Sequence, residues 1–366
     1  MNILFTCFEY DSLSGVTSFT RDLATGLTRR GHRVAIHGGR LGKIAEATDR
    51  SIFLTARMDR LPFRPDIIHA QQQPTIVRAL LTFPDTPLIA ICHDATALKD
   101  EPFFAPGIRR YVAVDKRCEA RIARNPNIPV SKTCVILNAV DLDRFSPGPP
   151  LPPRPKRALI YSNYAKRHSH MEPIMRACER AGIDVSVIGA GMGRAAAHPE
   201  QELPLYDIVF AKARCALEAM AMGRAVILCD TTGLGRMVSR ADVERFRPMN
   251  FGAGLLDRPL DADLIAREID RYDPADAAQV ADAIRATAGL SDALDTWMAL
   301  YREVLAEPSP ATGDEGHQDL KRRDRRWSRF LAAYSLTRGL RHVDRLPLVG
   351  KPLQSAMISA WDRIWG

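Results

Sequence analysis

At 366 residues, 46% of them hydrophobic, the chain has room for two domains of ordinary size plus an appendage, which excludes wholesale disorder. Its 51 Lys and Arg against 43 Asp and Glu leave a net charge of +8, so an anionic partner is expected: nucleotide phosphate, acidic lipid headgroup or nucleic acid. Seven scattered cysteines with no C-x-x-C argue for reduced thiols over a disulfide framework or a zinc site. No apolar run is long enough to span a membrane, and the N-terminus enters a strand without the basic region of a signal peptide, so a cytoplasmic protein is expected.

In chain order, residues 2–7 read as a strand, 11–18 as a Gly/Ser loop and 19–30 as a helix. Leu23, Gly26 and Leu27 lie on that helix's inner face, Gly31 stops it, and 33–37 is the second strand. Gly15 lets the backbone approach a ligand, with the N–H groups of 16–18 free to face a phosphate; the bland alternative is a tight turn. Strands follow at 66–70, ending in Gln71-Gln72-Gln73, and at 88–92, ending in His93-Asp94. An imidazole at a strand's carboxyl end can donate to a ligand hydroxyl or carry charge near neutral pH, or it can merely cap the strand. His69 is open between function and structure. A strand at 111–114 and a basic helix at 116–124 precede V-I-L-N-A-V-D-L-D-R-F-S-P (135–147), in which Asn138 can bridge backbone groups at a cleft mouth. The run P-G-P-P-L-P-P-R-P makes 147–156 an extended, semi-rigid linker and 1–146 a first α/β domain.

The second half opens with a strand at 157–162 and N-Y-A-K-R-H-S-H-M, where Lys166 and Arg167 either meet a phosphate or form a solvated loop. His168 and His170 have metal-like spacing but no carboxylate or thiol partner, so no metal is expected. A helix at 172–181 and a strand at 184–188 lead to G-A-G-M-G. Its Gly189 and Gly191 read as a turn lining a strand-end cleft. A dinucleotide fingerprint would need a helix at once and an acid about 20 residues later, and A-A-A-H-P-E-Q-E follows instead. Next come a strand at 207–210, a basic loop at 211–215 carrying Lys212 and Arg214, a helix to Gly223 containing Glu218, and a strand at 225–229. A glycine-marked loop then runs toward another helix, and helices follow from 261, at 275–286 and at 291–306. This alternation predicts parallel sheet with crossover helices and an anionic ligand, a phosphate ester, at the strand ends.

The C-terminal tail, 308–366, differs in composition. Residues 308–319 are Pro/Gly/acidic and expected to be flexible, and 309–366 hold 11 Lys/Arg against 6 Asp/Glu. Basic residues beside Trp327, Phe330, Leu331 and Tyr334 fit an amphipathic helix on an acidic membrane surface, with packing against its own protein or a partner as the alternative. No nucleic-acid module is recognisable, and no nucleic-acid partner is expected.

The segment A-L-E-A-M-A-M-G-R-A-V-I-L-C-D (216–230) resembles the LEAMA-x-G-x-PVV segment of group 1, glycogen-synthase-like retaining GT-B glycosyltransferases. Residues 135–147 resemble that family's V-I-x-N-G-V-D-x-x-x-F-x-P, with Ala139 in place of the Gly. Weaker likenesses lie at 13–34 and 66–94. The resemblance implies an α/β GT-B fold, two Rossmann-like domains facing a cleft, with the nucleotide-sugar domain at 157–307 and its last helix crossing back through Trp297 and Tyr301. It implies transfer of a sugar from a nucleoside-diphosphate sugar to an acceptor hydroxyl, in envelope polysaccharide or glycolipid synthesis, without metal or cofactor. On this reading Glu218 holds the ribose, Arg214, Lys166 and Arg167 the diphosphate, Gly15 admits the donor, and His93 lies by the transferred sugar as the catalytic residue. Two departures stand out: Phe210 occupies the position of the first Glu of E-x7-E, and Asn163 that of the Arg of G-R-L. They favour the alternative of a degenerate GT-B protein that binds nucleotide or scaffolds an assembly. A sugar-nucleotide 2-epimerase shares the fold, but no carboxylate set for C2 proton chemistry is visible.

Overall fold

The computed structural model of the chain describes residues 1–163, 165, 170–189, 198–308 and 314–340. The first half contains β1 (Asn2–Cys7), α1 (Gly15–Arg29), β2 (Arg33–Gly38), α2 (Lys43–Glu46), β3 (Phe53–Thr55), β4 (Ile67–Gln71), α3 (Gln73–Thr82), β5 (Leu88–Cys92), β6 (Ile108–Ala113), α4 (Lys116–Ala123) and β7 (Thr133–Val135). Its strands form one parallel sheet in the order β3-β2-β1-β4-β5-β6-β7. The second half contains β8 (Arg157–Tyr161), α5 (Met171–Arg180), β9 (Asp184–Ile188), α6 (Pro199–Glu202), β10 (Ile208–Ala211), α7 (Ala213–Ala221), β11 (Ala225–Asp230), β12 (Gly233–Met237), α8 (Val243–Phe246), α9 (Ala262–Ile269) and α10 (Pro274–Thr287). Its sheet order is β12-β11-β10-β8-β9, with β12 antiparallel on the edge. Continuous apolar strands such as Ile3-Leu4-Phe5 and Val226-Ile227-Leu228 are fully or almost fully buried, as sheets covered on both faces require.

Each sheet reverses its winding once: between β1 and β4 in the first, and between β8 and β10 in the second. At such a switch the connections leave in opposite directions and open a crevice beyond the strands' carboxyl ends. The residues placed there are those of the loop before α1, Tyr161 at the end of β8 with Ser162 after it, and Lys212 after β10.

α11 (Leu290–Ala306) follows the second sheet in sequence but packs on the first half. Leu294, Trp297, Met298, Tyr301 and Val304 are buried in that core. Gly26 of α1 permits the approach, since a Cβ there would meet Leu294 Cδ1 at 2.5 Å. The linker is extended but not detached: Arg224 donates to the Pro149 carbonyl and the Tyr272 hydroxyl to the Pro152 carbonyl at 2.9 Å.

Four local expectations need correction. α1 begins at Gly15, not 19, because Ser14 caps it: the Ser14 hydroxyl accepts from the Thr17 N–H and the Thr17 hydroxyl accepts from the Ser14 N–H. The basic loop at 211–215 does not exist, since α7 starts at Ala213. Ala213 takes φ of 50° and its N–H reaches the Phe251 carbonyl at 2.8 Å, so strand turns to helix with only Lys212 between them. The glycine-marked stretch after β11 is the strand β12, held further by the reciprocal Leu234–Arg258 bridge, and not a loop leading to a helix. In the tail, α12 (Asp314–Leu340) begins inside the segment expected to be flexible. Its Leu320 and Trp327, seven residues apart and so on one face, are 4% and 2% exposed. The Trp327 indole donates to Gln73 Oε1 at 2.6 Å, Arg323 stacks over Phe103, and Asp324 pairs with Arg78 of α3. The aromatic face at Trp327 is therefore spent on the protein itself and is not available to a membrane.

Candidate functional site

Between the two switch points lies a crevice lined by Ser14, Gly15, Arg21, Arg144, Tyr161, Asn163, Arg214 and Glu218, with a volume of about 50 Å³. Asn163 closes one rim, its amide donating to the Leu13 carbonyl at 3.0 Å. A pocket for a drug-sized ligand is usually about 300–1,000 Å³, so this crevice is nearly shut.

What shuts it is a buried charge network joining the halves. Arg214, in the first turn of α7, gives Nη2 to Asp22 of α1 and Nε to Glu218 Oε1 at 2.8 Å. Tyr161, at the end of β8, donates its hydroxyl to Glu218 Oε2 at 2.9 Å. Asp22 also faces Arg21 Nε at 3.3 Å and Arg144 Nη1 at 3.4 Å, and Arg144 Nε lies 3.8 Å from Glu200. The side chains of Asp22, Arg214 and Glu218 are 5%, 8% and 4% exposed. Burial alone would raise the Asp22 carboxyl, but Arg214, Arg144 and Arg21 outweigh it and hold it below the usual carboxylate range. Burial likewise opposes charge on Arg214, yet Asp22 and Glu218 keep its pKa above the ordinary value. Burial and the neighbouring Glu218 push the Tyr161 phenol well up, which fixes it as a proton donor.

The sequence-derived residues fall out as follows. Glu218 and Arg214 meet in the crevice, one helical turn apart. Gly15 opens α1 on the crevice wall, and a Cβ there would touch nothing within 4 Å, so the fold itself does not demand glycine. Phe210, in the position of the absent first Glu, lies within β10 and is fully buried, and the chain turns directly from β10 into α7. Gly189 is a packing residue: a Cβ would collide with the Ser162 carbonyl oxygen at 1.9 Å. Among the described residues the Asn138 side chain forms no hydrogen bond. Its backbone is instead held by the second half, its N–H donating to Asn250 Oδ1 at 3.2 Å and its carbonyl accepting from Arg247 at 2.7 Å. Asn250 is the true bridge, since its amide also donates to the Val114 carbonyl. Lys166, Arg167 and Gly191 lie outside the described residues.

His93 follows β5, beside Phe19, with ring centroids 4.9 Å apart. Its Nε2 is buried without a hydrogen-bond partner. Burial, aided by Lys99, pushes its pKa down to about 3, so the ring is neutral at physiological pH and cannot supply the positive charge considered for it. His69 is structural: its Nδ1 meets the Tyr301 hydroxyl at 2.6 Å, and its ring packs against Phe5 and Trp297.

Asp22, Arg21, Arg144 and Tyr161 were not singled out in the sequence. The available signal for Asp22 was a carboxylate three residues after Phe19 and next to Leu23, on the apolar stripe of an amphipathic helix.

Residues 13–144 match the family model described as Glycosyltransferase Family 4. A comparison with curated proteins gives no match. Among solved structures, a glycosyltransferase from Rickettsia africae ESF-5 is 16% identical, covering 84% of this chain and 99% of its own, with a TM-score of 0.61. The catalytic domain of starch synthase IV from Arabidopsis thaliana, bound to ADP and acarbose, is 10% identical over 84% of this chain and 99% of its own, with a TM-score of 0.53. At such identities the structural likeness is one of fold, and the fold is GT-B. With the family match, it bears out the resemblance to the group 1 GT-B glycosyltransferases.

Proposed function

We propose that the protein transfers a sugar, with retention, from a nucleoside-diphosphate sugar to an acceptor hydroxyl in envelope polysaccharide or glycolipid synthesis. The observation that carries this reading is the position of Glu218, a buried carboxylate in the family-like helix, on the wall of the crevice where both switch points meet. A carboxylate has about four acceptor sites, and Arg214 and Tyr161 take two. The rest can accept ribose hydroxyls. The open space over Gly15 admits the donor, Arg214 with Lys166 and Arg167 balances the departing diphosphate, and neutral His93 can offer a hydrogen bond to the sugar. Fixed donors and charges of this kind act by electrostatic preorganisation. The test is titration with UDP, GDP and ADP, followed by nucleotide release from a donor panel with acceptor. Loss of two charge-assisted hydrogen bonds in Glu218→Ala should weaken nucleotide binding roughly 100-fold. Full affinity in that variant would remove Glu218 from the site.

A second reading, nucleotide binding without turnover, is favoured by Phe210 standing in the strand and by the nearly closed crevice. It requires nucleotide binding and no release from any donor.

For the acceptor, we propose a lipid-linked hydroxyl compound at the cytoplasmic face of an anionic membrane. The support is the outer side of α12, where Lys321, Arg322, Arg325 and Arg329 are exposed while Trp327 is docked inward. Among the described residues no helix is long and apolar enough to cross a membrane. Contact would then be electrostatic, at about 1 kcal/mol per basic residue. Reversing Lys321, Arg325 and Arg329 to Glu should abolish sedimentation with anionic vesicles. Deleting the tail is a poorer test, because it would also strip α3 of its cover. Undiminished sedimentation of the triple variant would end the proposal.

A further inference from the structure

Asp22 is a buried carboxylate with three guanidinium neighbours, all of which line the crevice where the nucleotide-sugar reading needs room for a diphosphate. Its partners divide unequally between the halves. Asp22 and Arg21 belong to α1, whereas Arg144 lies in a segment that packs into the second half's core and reaches Glu200, and Arg214 comes from α7 of the second half. Parting the halves therefore leaves Asp22 with Arg21, while Arg214 loses its cross-half carboxylate and keeps Glu218. A buried charge stripped of its partner is costly, so the released guanidinium needs a replacement anion. A phosphoryl oxygen supplies one with the same forked geometry as a carboxylate.

We propose that Asp22 is an internal stand-in for the donor's phosphate: its carboxylate occupies Arg214 in the closed form, and a diphosphate binds only by taking Arg214 from it. The inference rests on the nucleotide-sugar reading of the same crevice and adds to it a competitor built into the chain. Asp22 is paired with three arginines that line the crevice, Arg21, Arg144 and Arg214, so their charge is already answered in the closed form. On release Asp22 keeps Arg21, its neighbour on α1, beside it. In this scheme Asp22 is a positioning residue that sets how readily the crevice opens.

The experiment compares wild type with Asp22→Asn, which keeps the volume and removes the charge. Calorimetric titration with inorganic pyrophosphate, UDP, GDP and ADP should give about tenfold tighter binding to the variant, as expected when a closed form no longer taxes the affinity. Thermal melting checks that the variant folds, and Asp22→Ser serves if Asn does not. Unchanged or weaker binding by the folded variant, with wild type still binding nucleotide, overturns the stand-in role and leaves the transfer reading intact. Failure of both proteins to bind any of the four probes removes both.

Discussion

Two buried seams join distant parts of this chain, and they are built from opposite materials. The seam between α1 and α7 is ionic: Asp22, Arg214 and Glu218, with Tyr161 behind them. The seam between the first sheet and α11 is aromatic: Phe19, His69, Trp297 and Tyr301 stack with centroids 4.6–6.2 Å apart. An ion pair out of water recovers little beyond its desolvation cost, and it can be exchanged for another charge. Close-packed rings have no such substitute, and parting them exposes apolar surface outright. The first seam is suited to opening and the second to permanence, so α11 should ride with the half it packs on.

The sharpest way to break this contrast is Trp297→Ala. Loss of a fully buried indole should cost about 3–5 kcal/mol, read as a lowered denaturation midpoint, with nucleotide affinity per folded molecule unchanged. A fall in affinity as large as that of Glu218→Ala would mean the two seams are not separable. The next effect comes from pH. His93 and His37 are pushed down to about 3 and about 4, and His69 well below its ordinary value, chiefly by burial. Each therefore binds its proton more readily when unfolded, and the stability it contributes is lost as pH falls below 6.5. Asp100, raised to about 6 by burial, acts in the opposite sense. Lowering pH from 7 to 5 should remove about 2 kcal/mol through His93 alone, and a His93→Asn protein should show a shallower dependence of melting temperature on pH. The smallest effect is expected at the rim of the aromatic seam, where Arg30, the C-cap residue after α1, meets Asp295 of α11 at 2.6 Å. Asp295→Asn should change stability by less than about 1 kcal/mol, because that carboxylate is largely solvated. A loss of several kcal/mol would show that charge also holds this seam.

Most strands and the later helices were legible in the sequence because their signals are local: apolar runs, glycine stops and capping acids such as Asp261 and Asp273. Glu218 was legible through the motif around it. Its partner Asp22 was not, since nothing local shows that a carboxylate on α1 will meet an arginine 192 residues away. The basic loop at 211–215 was misread for a related reason. Ala213 adopts a backbone angle that favours glycine, and its N–H is held by the distant Phe251 carbonyl. In the tail, the sequence left open whether an amphipathic face would meet lipid or protein. Gln73, positioned by a separate fold element, supplied the answer for Trp327.

The return of α11 and α12 to the first sheet bears on how the chain is made. A ribosome releases the first sheet long before Leu294, Trp297 and Trp327 exist to cover it. At about 5–20 residues per second, the wait is on the order of ten seconds. Throughout that interval the stripe of α1 around Leu23 and Leu27 lacks its lid, so nascent chains stalled between 146 and 290 should be the ones that chaperones retain and that aggregate when chaperones are scarce.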